Sequence, residues 1–278
     1  MSALNNFEIK TLLAHLWKDY KVMTPQAEHI RELLEERGEV LENDHIALRT
    51  FNLEPVGLKV LERVFLDLGY VYTGEYNFDK KKLYARSYSH PSGEFPRIFI
   101  SELLTERLSE SAQKIIRKIV SQVRQGTTGK HLLYMQSLWP KVSLEDYDAL
   151  LMESEYAGWL AAFGIRANHF TVSVNNLRTF GNLESLNGFL ESRRYKLNGG
   201  SKPIQGHPGQ YLEQSSTLAS RIAWEFLGGV IREIPSCYYE FAIRYPVPGS
   251  WRLYDGFVAQ SADKIFESTD VNGIRQAS

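Results

Sequence analysis

The sequence predicts an α+β fold: two βαβββ modules forming a curved mixed sheet, with helices added at the N-terminus and between the modules. Three observations predict it. A weak internal repeat opens one copy at Asp44-His45-Ile46-Ala47-Leu48-Arg49-Thr50-Phe51 and the other at Asn168-His169-Phe170-Thr171-Val172-Ser173-Val174, each a strand with a histidine near its start. Each strand leads into an apolar-striped helix and then a tyrosine-containing strand, and the His-to-Tyr offsets nearly match (70 − 45 = 25 and 195 − 169 = 26). Side chains in both opening strands also alternate with period two.

Residues 1–40 read as two helices. Leu12, Leu13, Leu16 and Tyr20 recur at helical spacing, and Thr24-Pro25 reads as a cap followed by Pro at the first helical position of a second helix bearing Ala27, Ile30, Leu33 and Leu34. Residues 41–102 form the first module, with Leu58, Leu61, Val64 and Phe65 as the apolar side of its helix and strands at Tyr70, 83–89 and 97–101. A helical insertion is expected over 103–165, where Ile115, Ile116, Ile119 and Val123 make one stripe and Leu150, Leu151, Trp159 and Leu160 another. Residues 166–246 form the second module, with Leu186, Phe189 and Leu190 on its helix and strands at Tyr195, 211–219 and 238–245; 247–278 are a C-terminal tail. The five segments are expected to make one compact domain.

Composition narrows the function. With 32 Lys+Arg against 33 Asp+Glu, a net charge of −1, the chain lacks the basic footprint of a nucleic-acid or membrane-surface protein. The single cysteine, Cys237, excludes an intrachain disulfide framework and a thiolate zinc site and suits a reducing compartment. No signal peptide is readable at the start, and the apolar-leaning run over 156–165 is far shorter than the roughly 20 residues that span a bilayer. The expectation is a cytoplasmic protein. Gly199-Gly200 and Gly228-Gly229 lack the strand-to-helix context of a phosphate loop, so no nucleotide cofactor is expected.

The polar strand faces carry the chemistry. His45, Ala47 and Arg49 share one face of the first strand; His169, Thr171 and Ser173 share one face of its counterpart; Tyr238, Glu240, Ala242 and Arg244 share one face of the last strand. If these faces line one concave sheet, His45, His169 and Glu240 converge. Two imidazoles and one carboxylate are the ligand set of the facial triad that holds Fe(II), and they also serve catalytic zinc. Neutral nitrogen donors with one anion leave a divalent ion partly uncompensated and able to accept an anionic substrate. Arg49 suits a bidentate clamp on a substrate carboxylate, or else a pairing with Glu42 or Asp44. Glu240 has Arg244 as its alternative partner.

At these residues the sequence resembles the 2-oxoadipate dioxygenase/decarboxylase (hydroxyglutarate synthase) family, as a shorter member. The resemblance rests on His45-x-x-x-Arg49, on His169 within Asn168-His169-Phe170-Thr171, on Glu240 within Tyr239-Glu240-Phe241, and on a tail segment over 256–266. It implies a vicinal-oxygen-chelate-like core around a metal, with His45, His169 and Glu240 as ligands of Fe(II) and Arg49 as a catalytic, substrate-binding residue. The implied partners are O2 and a small 2-oxo acid such as 2-oxoadipate, converted to CO2 and a 2-hydroxy acid such as 2-hydroxyglutarate, in lysine catabolism. A homodimer is compatible with it. Zn, Ni or Mn on the same ligands would give instead a redox-neutral, glyoxalase-type isomerase or hydrolase, and a non-catalytic small-ligand-binding module is a further alternative.

Other candidates have plainer readings. Glu102 falls on the side of Ile98 and Ile100, the core face, and is left out of the site. His207 sits in a turn-rich surface loop, Cys237 is read as a buried inert thiol, and Ser261 as a helix cap.

Overall fold

The structure is a computed structural model in which residues 3–135 and 138–258 are described. It opens with α1 (Ala3–Met23) and α2 (Pro25–Glu35). The break falls before Pro25 because a proline ring is tolerated only in the first turn of a helix. Thr24 departs from expectation in one respect: its side chain makes no capping hydrogen bond. The apolar sides of both helices, including Leu16, Tyr20, Ile30 and Leu34, are buried, and Tyr20 donates its hydroxyl to the carbonyl of Tyr238 at 2.5 Å.

The first module is β1 (Asn43–Phe51), α3 (Leu58–Asp67), β2 (Val71–Phe78), β3 (Leu83–Ser89) and β4 (Arg97–Leu103). The insertion comprises α4 (Glu110–Val120), α5 (Gly129–Tyr134), α6 (Leu144–Glu153) and α7 (Glu155–Phe163). The second module is β5 (Ala167–Ser173), α8 (Leu183–Ser192), β6 (Gln205–His207), β7 (Leu212–Ser216), then β8 (Arg221–Glu225) and β9 (Ile231–Pro235), and finally β10 (Tyr238–Arg244). Eight strands form one curled sheet in the order β2-β3-β4-β1-β5-β10-β7-β6. Read outward from its centre, the sheet runs β1-β4-β3-β2 on one side and β5-β10-β7-β6 on the other. In each half the first and last strands pair in parallel and the others antiparallel. The modules join through the antiparallel β1–β5 pair, which gives the sheet a pseudo-two-fold between its first strands. This is the paired βαβββ architecture that the repeat predicts.

Two features of the second module differ from the sequence reading. Tyr195 lies in no strand: Arg194, Gly199 and Gly200 all adopt positive φ, which an extended strand cannot accommodate, so only an isolated bridge from Leu197 to Thr217 forms before the short β6. The hairpin β8–β9 is a separate two-stranded sheet between β7 and β10. Its signal was present in the alternation of Ile222 and Trp224 ahead of the Gly228-Gly229 turn.

The inserted helices roof the concave face. The Tyr156 hydroxyl on α7 donates to the Ser101 carbonyl at 2.7 Å, and the Trp159 indole donates to the Ser236 carbonyl at 2.6 Å. Glu102 accepts the Leu58 backbone N–H at 2.9 Å at the start of α3, consistent with a core-face position. Cys237 is buried, and burial pushes its thiol up to about 12. His207 is exposed. Ser261 and the part of the 256–266 segment beyond Val258 lie outside the described residues.

Candidate metal centre

The register of the central strands brings the three predicted residues together. Thr171 on β5 stands opposite His45 on β1 and, across its other edge, opposite Glu240 on β10. Residues directly opposed across neighbouring strands project to the same side, and His169, two positions from Thr171, shares that side. His45, His169 and Glu240 thus meet on the concave face, all buried, with one ligand atom from each within 4.8 Å of the others.

Their reactive atoms face one another. The two Nε2 atoms are 3.4 Å apart; His45 Nε2 lies 3.3 Å from Glu240 Oε1, and His169 Nε2 lies 3.6 Å from Glu240 Oε2. Each Nδ1 is held from behind, His45 by Asp44 Oδ2 at 2.8 Å and His169 by the Asn168 side-chain oxygen at 3.1 Å. A proton on each Nδ1 satisfies these acceptors and leaves the inner nitrogens as lone pairs. Gln214 donates to Glu240 Oε1 at 2.6 Å, while the buried Oε2 accepts no hydrogen bond among the described residues. Two imidazole lone pairs and an under-satisfied carboxylate at this range are a donor set that a divalent cation fits. Donors about 2.1 Å from such an ion lie about 3.0 Å apart at a right angle and about 3.4 Å apart at a tetrahedral one.

Electrostatics separates the two histidines. Burial disfavours the charged form of His45, but Glu240 and Asp44 outweigh it and raise its proton affinity. Burial, with His45 and Arg49 adding to it, holds His169 down at about 3 against the opposing pull of Glu240. Burial would raise the Glu240 carboxyl, yet the two imidazoles bring it below its ordinary value. Aromatic rings pack around the group: Tyr238 stacks on His169 with centroids 4.8 Å apart, and Phe257 meets His45 edge-on at 4.8 Å.

Arg49 is buried on the same strand face, its guanidinium over the rings of Tyr156 and Trp159 at 4.8 and 5.0 Å. It lines a cavity of about 180 Å³ with Tyr156 and the Lys80–Lys82 turn. A larger groove, about 580 Å³, lies between α1, α3 and α5 and includes none of the four predicted residues. Of the two partners suggested for Arg49, Glu42 accepts from the Asn176 side-chain amide and Asp44 is engaged by Arg244, whose Nε and Nη2 donate to Asp44 Oδ1 and Oδ2 at 2.7 and 2.9 Å. That pairing also removes Arg244 as the partner of Glu240. Sequence reasoning considered Asp44 only as a partner of Arg49 and passed over the roles of Asn168 and Gln214. Asp44 and Asn168 precede the histidines in both copies of the repeat, a signal already visible there.

Paired βαβββ modules with two histidines and a glutamate able to hold a metal ion on the concave face give the vicinal-oxygen-chelate-like fold expected from the sequence. The model of the 2-oxoadipate dioxygenase/decarboxylase family matches residues 6–138 and 131–248, and the chain belongs to that family of oxidoreductases. A chloroplastic/amyloplastic 2-oxoadipate dioxygenase/decarboxylase of Oryza sativa subsp. japonica is 35% identical over 286 residues, covering 94% of this chain and 78% of that protein. The crystal structure of hydroxyglutarate synthase from Oryza sativa in complex with 2-oxoadipate superposes with a TM-score of 0.92 at 33% identity, covering 99% of this chain and 96% of the other. A Shewanella frigidimarina NCIMB 400 protein, provisionally described as a hydrolase, matches with a TM-score of 0.83 at 46% identity over 90% of this chain and 98% of its own.

Proposed function

We propose that the chain is an Fe(II)-dependent dioxygenase/decarboxylase that converts a 2-oxo dicarboxylic acid such as 2-oxoadipate, with O2, into CO2 and a 2-hydroxy acid such as 2-hydroxyglutarate. The observation that carries this reading is the buried group of His45, His169 and Glu240, with both Nε2 atoms turned inward and both Nδ1 atoms held from behind. These three residues hold the metal. Two neutral donors and one carboxylate leave a divalent ion with net positive charge for an anionic substrate. Bound Fe(II) supplies the redox chemistry that couples loss of C1 as CO2 to hydroxylation of the shortened acid.

The protein's own residues bind, orient and exclude water. Arg49 clamps a substrate carboxylate, its planar guanidinium already aligned by Tyr156 and Trp159. The acid arrives through the cavity at Arg49. There Lys81 and Lys82 face Glu155 and Glu153 at 3.5 and 3.6 Å, and Lys80 adds a further cation. Tyr238 and Phe257 close the imidazoles off from water. Among the described residues no helix is long and apolar enough to cross a membrane. The cytoplasmic assignment rests on composition, and the plant relatives are named as chloroplastic.

The test is O2 uptake by protein loaded anaerobically with Fe(II) and mixed with 2-oxoadipate, alongside a His169→Ala control. Uptake that needs iron, acid and His169, with 2-hydroxyglutarate and CO2 formed in equal amounts, is the expected result. Iron bound without uptake across a panel of 2-oxo acids would replace this reading with redox-neutral chemistry on the same ligands.

A further inference from the structure

The geometry points to Arg244 as a positioning residue that couples seating of the 254–257 segment to the orientation of His45, and hence to retention of the metal. This rests on the reading of His45 as a ligand. Arg244 is buried and divides its donors between two elements far apart in sequence. Nε and Nη2 grip both oxygens of Asp44, while Nη1 donates to the carbonyls of Tyr254 and Gly256 at 2.8 and 2.7 Å. Asp44 Oδ2 in turn accepts from His45 Nδ1 at 2.8 Å.

A second contact runs in parallel. The Phe257 ring lies 5.1 Å from the Arg244 guanidinium and 4.8 Å from the His45 ring, and its backbone N–H donates to the Tyr76 hydroxyl at 3.1 Å. The segment therefore touches His45 directly through Phe257 and indirectly through Asp44, which Arg244 grips with two donors and which Arg97, itself paired with Asp255, contacts more loosely at 3.4 Å.

Among the described residues only the first module carries this device. Arg97 stands opposite His45 and Tyr238 opposite His169. Arg244, six residues after Tyr238, is therefore matched in β4 by Leu103, six after Arg97. His169 has Asn168 behind it, and the Asn168 amide nitrogen makes no hydrogen bond among the described residues.

A planar fork is needed because four acceptors in two directions must be met at once; an ammonium keeps the charge and cannot span them. Coupling between two sites is reciprocal, so metal binding must also hold the segment down. Zn2+ serves as a redox-inert probe in a chelator-competition titration, with chymotryptic cleavage after Tyr254 as the second readout. Arg244→Lys is expected to keep the wild-type circular dichroism spectrum and to bind Zn2+ roughly 10- to 100-fold more weakly. Zn2+ is expected to slow cleavage in the wild type and to lose that effect in Arg244→Lys. Phe257→Ala, which leaves the Asp44–Arg244 pair in place, should weaken Zn2+ binding about fivefold and carries the test if Arg244→Lys does not fold. Wild-type Zn2+ affinity in Arg244→Lys, or in Phe257→Ala where only that variant folds, overturns the inference, as does cleavage of the wild type at one rate with and without Zn2+. A His169→Ala control separates the two levels: if it binds Zn2+ like the wild type, the ligand assignment itself is lost.

Discussion

The two modules share one topology and use it differently. Each places a histidine on its first strand and an oxygen acceptor behind that histidine's Nδ1, but the acceptor is a carboxylate at Asp44 and an amide at Asn168. By strand register, Glu240 in the second module corresponds to Phe99 in the first, each two residues beyond the partner of the histidine. Arg49, four residues after His45, corresponds to Ser173, four after His169. The second module thus supplies the carboxylate that faces the imidazoles, and the first supplies a buried guanidinium at Arg49 and, at Phe99, an apolar seat for Phe257, with ring centroids 4.9 Å apart. Divergence from a common scaffold leaves one inward carboxylate rather than two. That would leave net positive charge on a bound divalent ion, as the anionic substrate proposed above requires.

The comparison breaks most severely at Glu240. Glu240→Ala is expected to abolish metal binding and activity together, measured as metal content after gel filtration and as O2 uptake. Adding Phe99→Glu to that variant moves the carboxylate across the pseudo-two-fold and should recover part of the metal content. No recovery would show that the correspondence ends at the backbone.

Asp44→Asn makes the first module resemble the second behind its histidine. It also strands the Arg244 guanidinium, and removing one partner of a buried ion pair costs about 3–5 kcal/mol, read as a lower denaturant midpoint. Burial would push the Asp44 carboxyl up, but Arg244 and His45 hold it well below the carboxylate range. Its stabilisation is therefore present in full above the unfolded value of about 3.9 and lost as pH falls through the depressed folded value. The gap between wild type and variant should close on acidification below about pH 4. A gap that stays constant across that window would rule out the ion pair as its source.

Arg49→Ala tests the feature of the first module that Ser173 lacks. Metal content should be unchanged and kcat/KM for a dicarboxylic 2-oxo acid should fall about 100-fold, near 3 kcal/mol, mainly through KM. Unchanged kinetics would remove the clamp.

These asymmetries mark how far the sequence could be read. The order of elements in each module and the strand faces that bear His45, His169 and Glu240 were legible because period-two alternation and the repeated histidine depend only on local spacing, whereas their meeting on one concave sheet is long-range and came with the family resemblance. Asp44 and Asn168 were equally visible one residue upstream, but their role depends on a side chain turning back to its neighbour's Nδ1. The grip of Arg244 on Asp44 joins residues 200 apart, and no local pattern encodes it. Tyr195 misled because the repeat implies a strand, whereas backbone turning at Arg194, Gly199 and Gly200 prevents one.

The smallest effect is expected from the reverse exchange, Asn168→Asp, which gives the second module the first module's acceptor without its guanidinium. Asn168 is fully buried and its amide nitrogen makes no hydrogen bond among the described residues, so little is lost with the amide. The introduced carboxylate, however, is buried, with Leu103 by strand register in the place that Arg244 fills for Asp44. The metal-free variant should lose about 1–2 kcal/mol, within the range for an imperfectly compensated buried polar group. It should also bind a proton at His169 more readily than the wild type, in which burial holds that imidazole at about 3. Wild-type His169, held below its unfolded value, loses stability as pH falls below about 6.5, and a weaker depression in the variant loses less there. The deficit should therefore be largest near neutrality and shrink on acidification. Zn2+, which replaces the missing positive charge, should raise the melting temperature more in the variant than in the wild type. Equal Zn2+-induced shifts would mean that Asp44 and Asn168 are interchangeable, and that the difference between the modules lies in Arg244 alone.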